Sequence, residues 1–91
     1  MDVIDRVKLL KTLEGVTYSE IAGKAGIEKK RLENMIGRKA KVRHEDIEAI
    51  ADIYPQYEVW LFTGKEFAAD GQISPMTKEA KERLGTQGKV G

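Results

Sequence analysis

The stretch Thr17-Tyr18-Ser19-Glu20-Ile21-Ala22-Gly23-Lys24-Ala25-Gly26-Ile27-Glu28-Lys29-Lys30-Arg31-Leu32-Glu33-Asn34-Met35-Ile36-Gly37 decides the fold. Thr17 followed three residues later by Glu20 has the form of a capping box, which predicts a helix from Tyr18 to Lys24. Gly26 then stops it, because a turn this tight needs the left-handed conformation that costs glycine nothing. A second helix is predicted from Glu28 to Ile36, broken at Gly37. Ile21, Ala25, Ile27, Leu32 and Met35 fall where two such helices bury apolar groups against each other, and Ala22 is small enough to let them cross closely. Two short helices joined by a glycine turn form a helix-turn-helix.

Working outward, Val3, Val7, Leu10 and Leu13 recur at spacings of three and four, which predicts an amphipathic helix ending at Gly15. Ile47, Ile50, Ala51 and Tyr54 mark another over Glu45–Tyr54, ended by Pro55. Gln56 to Thr63 reads as a short aromatic helix closed by Gly64. Ser74-Pro75 has the form of a helix start, so a short helix over 75–84 is expected before Gly85. Thr86 to Gly91 is polar and glycine-rich and is expected to be disordered. No alternating pattern argues for a sheet. The expectation is an all-α bundle of about five helices over 1–64 with a C-terminal extension over 65–91.

No apolar run approaches the roughly 20 residues of a membrane span, and the acidic start does not resemble a secretory signal, so a cytoplasmic protein is expected. With no cysteine and one histidine, a disulfide framework, a thiolate nucleophile and the usual zinc ligand sets are excluded, and no metal or other cofactor is expected. There is no P-loop, dinucleotide fingerprint or nucleophile motif, which argues against an enzyme. Glu45-Asp46 and Asp2 with Asp5 are explained as favourable charges in first helical turns. His44, before Glu45-Asp46, reads as a residue at a helix start.

Net charge is only +1, yet charge is unevenly placed. Glu28 to Arg43 holds seven basic residues against two acidic ones, and His44 to Glu58 holds five acidic residues and no Lys or Arg. The predicted second helix of the pair turns Lys29, Lys30, Glu33 and Asn34 outward, with Arg31 beside them. Lysine can donate to guanine O6 and N7, and asparagine offers the paired donor and acceptor that adenine N6 and N7 require. Lys29, Lys30, Asn34 and Glu33 are therefore the candidate base-reading residues. Arg31, Arg38, Lys39, Lys41 and Arg43 are candidates for neutralising phosphates and fixing register.

These residues resemble the Cro and phage-repressor (XRE-like) class of helix-turn-helix proteins, whose domain is a compact bundle of about five helices. The resemblance covers roughly 3–64. It is carried by Thr17-Tyr18-Ser19-Glu20-Ile21-Ala22, Ala25-Gly26-Ile27, Leu32-Glu33-Asn34-Met35-Ile36-Gly37 and the run from Ile47 to Leu61. Pro55 to Gly64 is similar to the ending of many phage and prophage members. The position of Tyr18 is often a glutamine there, so the resemblance implies a phosphate contact by the Tyr18 hydroxyl. It also implies a homodimer on a two-fold symmetric operator in double-stranded DNA. Tyr54, Tyr57, Trp60 and Phe62 read as core and packing aromatics, and Tyr57, Trp60 and Phe62 are also the candidates for the dimer interface.

The expected function is that of a DNA-binding transcriptional regulator, most simply a repressor. Two alternatives stand beside it. One is the antitoxin of a toxin-antitoxin pair, with a protein partner gripped through 65–91. The other is a protein-interaction module docking a basic partner on the acidic helix from Glu45 to Asp52.

Overall fold

The computed structural model describes the backbone of residues 1–90 and the side chains of residues 1–85. Six α-helices follow in order, α1 Val3–Glu14, α2 Tyr18–Ala25, α3 Lys29–Ile36, α4 His44–Ile53, α5 Glu58–Thr63 and α6 Pro75–Val90, with single 3-10 turns at Pro55–Tyr57 and Ala68–Asp70. Among the described residues there is no strand, only an isolated antiparallel bridge between Phe67 and Gln72. No helix of the described residues is long and apolar enough to cross a membrane.

The helix ends follow their side-chain chemistry. Asp2 caps α1, its carboxylate accepting from the Asp5 amide at 3.0 Å, and Gly15 closes the helix in the left-handed region at φ 68°. Thr17 Oγ1 accepts from the Glu20 amide at 3.1 Å, and Gly26 ends α2 at φ 69°. These are groups a helix terminus otherwise leaves unpaired. Ser74 Oγ accepts from the Thr77 amide at 3.2 Å, so the Ser-Pro start of α6 behaves as its residue types predict.

The core joins Ile4, Val7 and Leu10 of α1, Ile21 and Ala22 of α2, Leu32 and Met35 of α3, and Ile47, Ile50 and Ala51 of α4 to Tyr57, Trp60 and Leu61. Helix α2 packs on both α3 and α4, while α1 lies against α3, α5 and α6. Thus the short α3 is held from behind by Leu32 and Met35, and its opposite face is left to solvent. Removing a buried leucine from such a site costs about 2–5 kcal/mol.

The structure departs from the sequence expectations at two places, the aromatics Tyr57 and Trp60 and the end of α6. Tyr57 and Trp60 are 0% and 3% exposed, so they are core residues and cannot form a dimer contact; the Tyr57 hydroxyl reaches inward to Glu14. Helix α3 ends at Ile36, before Gly37, as expected; Gly37 sits at φ −78° and the left-handed residue is Arg38 at φ 61°. Helix α6 continues past Gly85 to Val90, because an exposed glycine lowers helix stability by about 1 kcal/mol without removing a backbone hydrogen bond. The disorder expected over 86–91 is therefore not found in the backbone up to Val90, and Gly91 lies outside the described residues.

The segment after Gly64 folds back onto the bundle. Gln72 bridges Val59 N and Pro55 O through its side chain, the Ile73 amide donates to Gln56 O, and Ser74 and Pro75 are buried. Lys78 Nζ then reaches Glu14 on α1 at 3.2 Å.

Candidate nucleic-acid interface

Helix α3 has only eight residues, so its orientation is set by what holds its two ends. Its inner residues Leu32 and Met35 are buried, whereas Lys29, Lys30 and Glu33 are exposed and Asn34 is half-buried. The four residues expected to read bases therefore share the solvent side, with Asn34 nearest the body of the protein. Among the described residues, Lys29 and Lys30 have no carboxylate partner.

The chain after α3 turns back along it. The Lys39 and Ala40 amides both donate to Asn34 O, at 2.8 and 3.1 Å, and Arg38 N donates to Met35 O. Arg31 Nη2 donates to Lys41 O at 3.3 Å, which fixes Lys41 beside the first turns of α3. Lys39, Lys41 and Arg43 are exposed along this returning loop and, among the described residues, make no ion pair. Five cationic side chains, Lys29, Lys30, Lys39, Lys41 and Arg43, are thus gathered on α3 and its flanking loop.

The other two basic residues of the stretch are engaged internally. Arg31 grips Asp46 with two nitrogens, Nη2 to Oδ2 at 2.5 Å and Nε to Oδ1 at 3.3 Å. Asp46 is buried and also accepts from the Arg43 amide at 2.9 Å. Burial by itself raises the Asp46 carboxyl, but the hydrogen bonds and charges of Arg31 and Arg43 outweigh it and hold the carboxyl below its ordinary value. Arg31 therefore acts as a strut between α3 and α4. Arg38 is bound by Asp2 at 2.7 Å and Asp5 at 3.2 Å, joining the loop to the start of α1. Its hydrogen bond to Asp2 is the main reason that carboxyl lies far below the usual range.

Tyr18, the remaining phosphate candidate, is half-buried under Lys11, whose Nζ lies 5.2 Å from the ring centroid, and burial pushes its hydroxyl pKa up. Phe62, the remaining dimer candidate, is half-buried and stacks on His44 with ring centroids 4.9 Å apart. An open cavity of about 360 Å³ between α2 and α4 is lined by Lys24, Ala25, Ala49, Asp52 and Ile53, none of them a predicted site residue. No group of His, Cys, Asp or Glu among the described residues is arranged to hold a metal ion.

Three residues that organise this surface escaped the sequence reading. Arg6 is buried and donates to Leu61 O at 2.8 Å, Phe62 O at 3.4 Å and Met1 O at 2.8 Å, so it caps the C-terminal carbonyls of α5. Glu14 accepts from both the Tyr57 hydroxyl and Lys78. Asp46 was read as a first-turn charge only, although its position three residues after Arg43, where its carboxylate accepts the Arg43 amide, is the signal that it turns back toward the loop.

No protein-family model matches the chain, and no curated protein does. Among solved structures, the chain is similar to Pf6r from the filamentous phage Pf6 of Pseudomonas aeruginosa PA01, with 21% identity and a TM-score of 0.68 over 82% of this chain and 96% of that one. At that identity the likeness establishes a shared architecture: this chain has the compact all-helical fold of that phage protein.

Proposed function

We propose that this protein binds double-stranded DNA through α3, as a helix-turn-helix of the lambda-repressor-like type, and regulates transcription as a dimer on a palindromic operator. One observation carries the reading: a short helix with its apolar side locked into the bundle presents Lys29, Lys30, Glu33 and Asn34 to solvent, flanked by a loop whose Lys39, Lys41 and Arg43 are exposed and, among the described residues, make no ion pair. A major groove accommodates such a helix, and the flanking cations suit the phosphates on either side. The fold shared with a phage protein is in keeping with a phage- or prophage-type repressor. Occluding the polymerase needs no cofactor.

Selection of binding sites from random duplex DNA, followed by salt titration of the selected site, tests this. Lys29→Ala and Asn34→Ala should relax sequence preference, each costing about 1–3 kcal/mol at the preferred base. Lys39→Ala should leave preference intact and lower the salt slope by about one. If no sequence is enriched and binding vanishes at moderate salt, the reading fails.

A second reading has its own observation. Among the described residues, the large apolar side chains exposed after Gly64 are Phe67 at 51%, Met76 at 43% and Leu84 at 66%, all within the segment expected to meet a protein partner. An antitoxin that grips its toxin through this segment while α3 holds DNA would use them, and co-purification with a second small protein, lost in Leu84→Glu, would favour it.

A further inference from the structure

The inference concerns Arg38 and rests on the DNA-binding reading above. Its guanidinium is forked onto two carboxylates, with Nη1 at 2.7 Å from Asp2 Oδ2 and Nη2 at 3.3 Å from Asp2 Oδ1 and 3.2 Å from Asp5 Oδ1. The same planar fork fits a phosphate, so carboxylate and phosphate compete for it. Arg38 is fixed in place by its own backbone, which ends α3, and Asp2 by its role as the cap of α1. The cluster is about half exposed, at 50% for Arg38, 54% for Asp2 and 46% for Asp5, so solvent and a polyanion both reach it. Lys39 and Lys41, on the same loop, carry no such carboxylates.

We propose that Asp2 and Asp5 act as a built-in competitor for backbone phosphate at Arg38, so that duplex DNA must exchange the two carboxylates for a phosphate and binds less tightly than the basic loop alone would allow. The acids hold down both affinity and its salt dependence, since a guanidinium already neutralised releases no counterion when it meets DNA. Surface pairs of this kind contribute little to folding, which leaves the exchange open.

The test uses the full chain, a duplex carrying its selected site, and four proteins: wild type, Asp2→Asn/Asp5→Asn, Arg38→Ala, and the triple variant. Asparagine caps a helix as well as aspartate does, so α1 is preserved, and a thermal melt of each protein checks this. The double asparagine variant should bind about tenfold tighter at about 0.1 M salt, with a slope steeper by about one. Arg38→Ala alone should change affinity by less than about twofold, and in the asparagine background it should remove the gain. Unchanged affinity in the double variant overturns the proposal, as does a gain that survives in the triple variant, which would be simple charge repulsion. Failure of all four proteins to bind any duplex would instead remove the DNA reading itself, and the competitor with it.

Discussion

Arg38 occupies a backbone conformation that non-glycine residues rarely adopt, directly after a glycine that does not need its freedom. Gly37 serves space instead, since a Cβ there would lie 3.3 Å from the Glu33 carbonyl oxygen, and Arg38 places its side chain on Asp2 and Asp5. Replacing it separates backbone from side chain. Arg38→Gly and Arg38→Ala both lose the ion pairs, but only glycine relieves the left-handed strain, so the glycine variant should melt roughly 4–8 °C above the alanine variant. Equal melting temperatures would mean that the loop relaxes in both. No sequence signal distinguishes Gly37 from Arg38 as the left-handed residue, because the choice depends on how the loop must leave α3 to run beside Arg31. The outward face of α3 was legible for a simpler reason: the spacing of Leu32, Met35 and Ile36 assigns the inner side, and what is left over faces solvent.

Between elements, the tie of greatest consequence runs from Arg31 on α3 to Asp46 on α4. It converts a residue expected to meet phosphate into one that ties α3 to α4, so that Arg31→Ala should lower the melting temperature and, if α3 holds DNA as proposed, weaken binding through its orientation as well. Because the folded Asp46 carboxyl lies below its ordinary value near 3.8, its contribution is present above that pH and is lost as pH falls toward the folded value. Asp2 behaves in the same direction. Urea midpoints of wild type should therefore hold steady from neutral pH to about 5 and drop steeply below about 4, with a shallower drop in Asp46→Asn. Parallel curves for the two proteins would remove Asp46 from the acid response. The boundaries of α1, α2 and α4 were readable from caps and apolar spacing because those signals are local. The ties of Arg31 to Asp46 and of Arg6 to Leu61 were not, since each joins residues that only the packed helices bring together.

At the scale of the whole molecule, residues 65–85 are more than an appendage to a bundle that closes at Gly64. Gln72, Ile73, Ser74, Pro75 and Lys78 cover the junction of α1 with α5, and Glu14 meets Lys78 on one side and the buried Tyr57 hydroxyl on the other. A chain ending at Gly64 should consequently be destabilised by about 2–4 kcal/mol, the scale of one or two apolar side chains returned to water, as read from chemical denaturation of the two lengths. Equal stability would mean that the bundle closes at Gly64 without the segment that follows. The sequence pointed to that boundary because the helical periodicity stops there, while the first contacts that cross it are hydrogen bonds from an irregular segment, which have no period. Arg6 extends the same interdependence into the time over which the protein is made. Its guanidinium caps carbonyls synthesised 55 and 56 positions later, so at translation rates of roughly 5–20 residues per second it waits about 3–11 s, hydrated and charged, before its partners exist. During that interval the first helix carries a cation among the side chains it will later bury, Ile4, Val7 and Leu10, and that side can close only once α5 has been made.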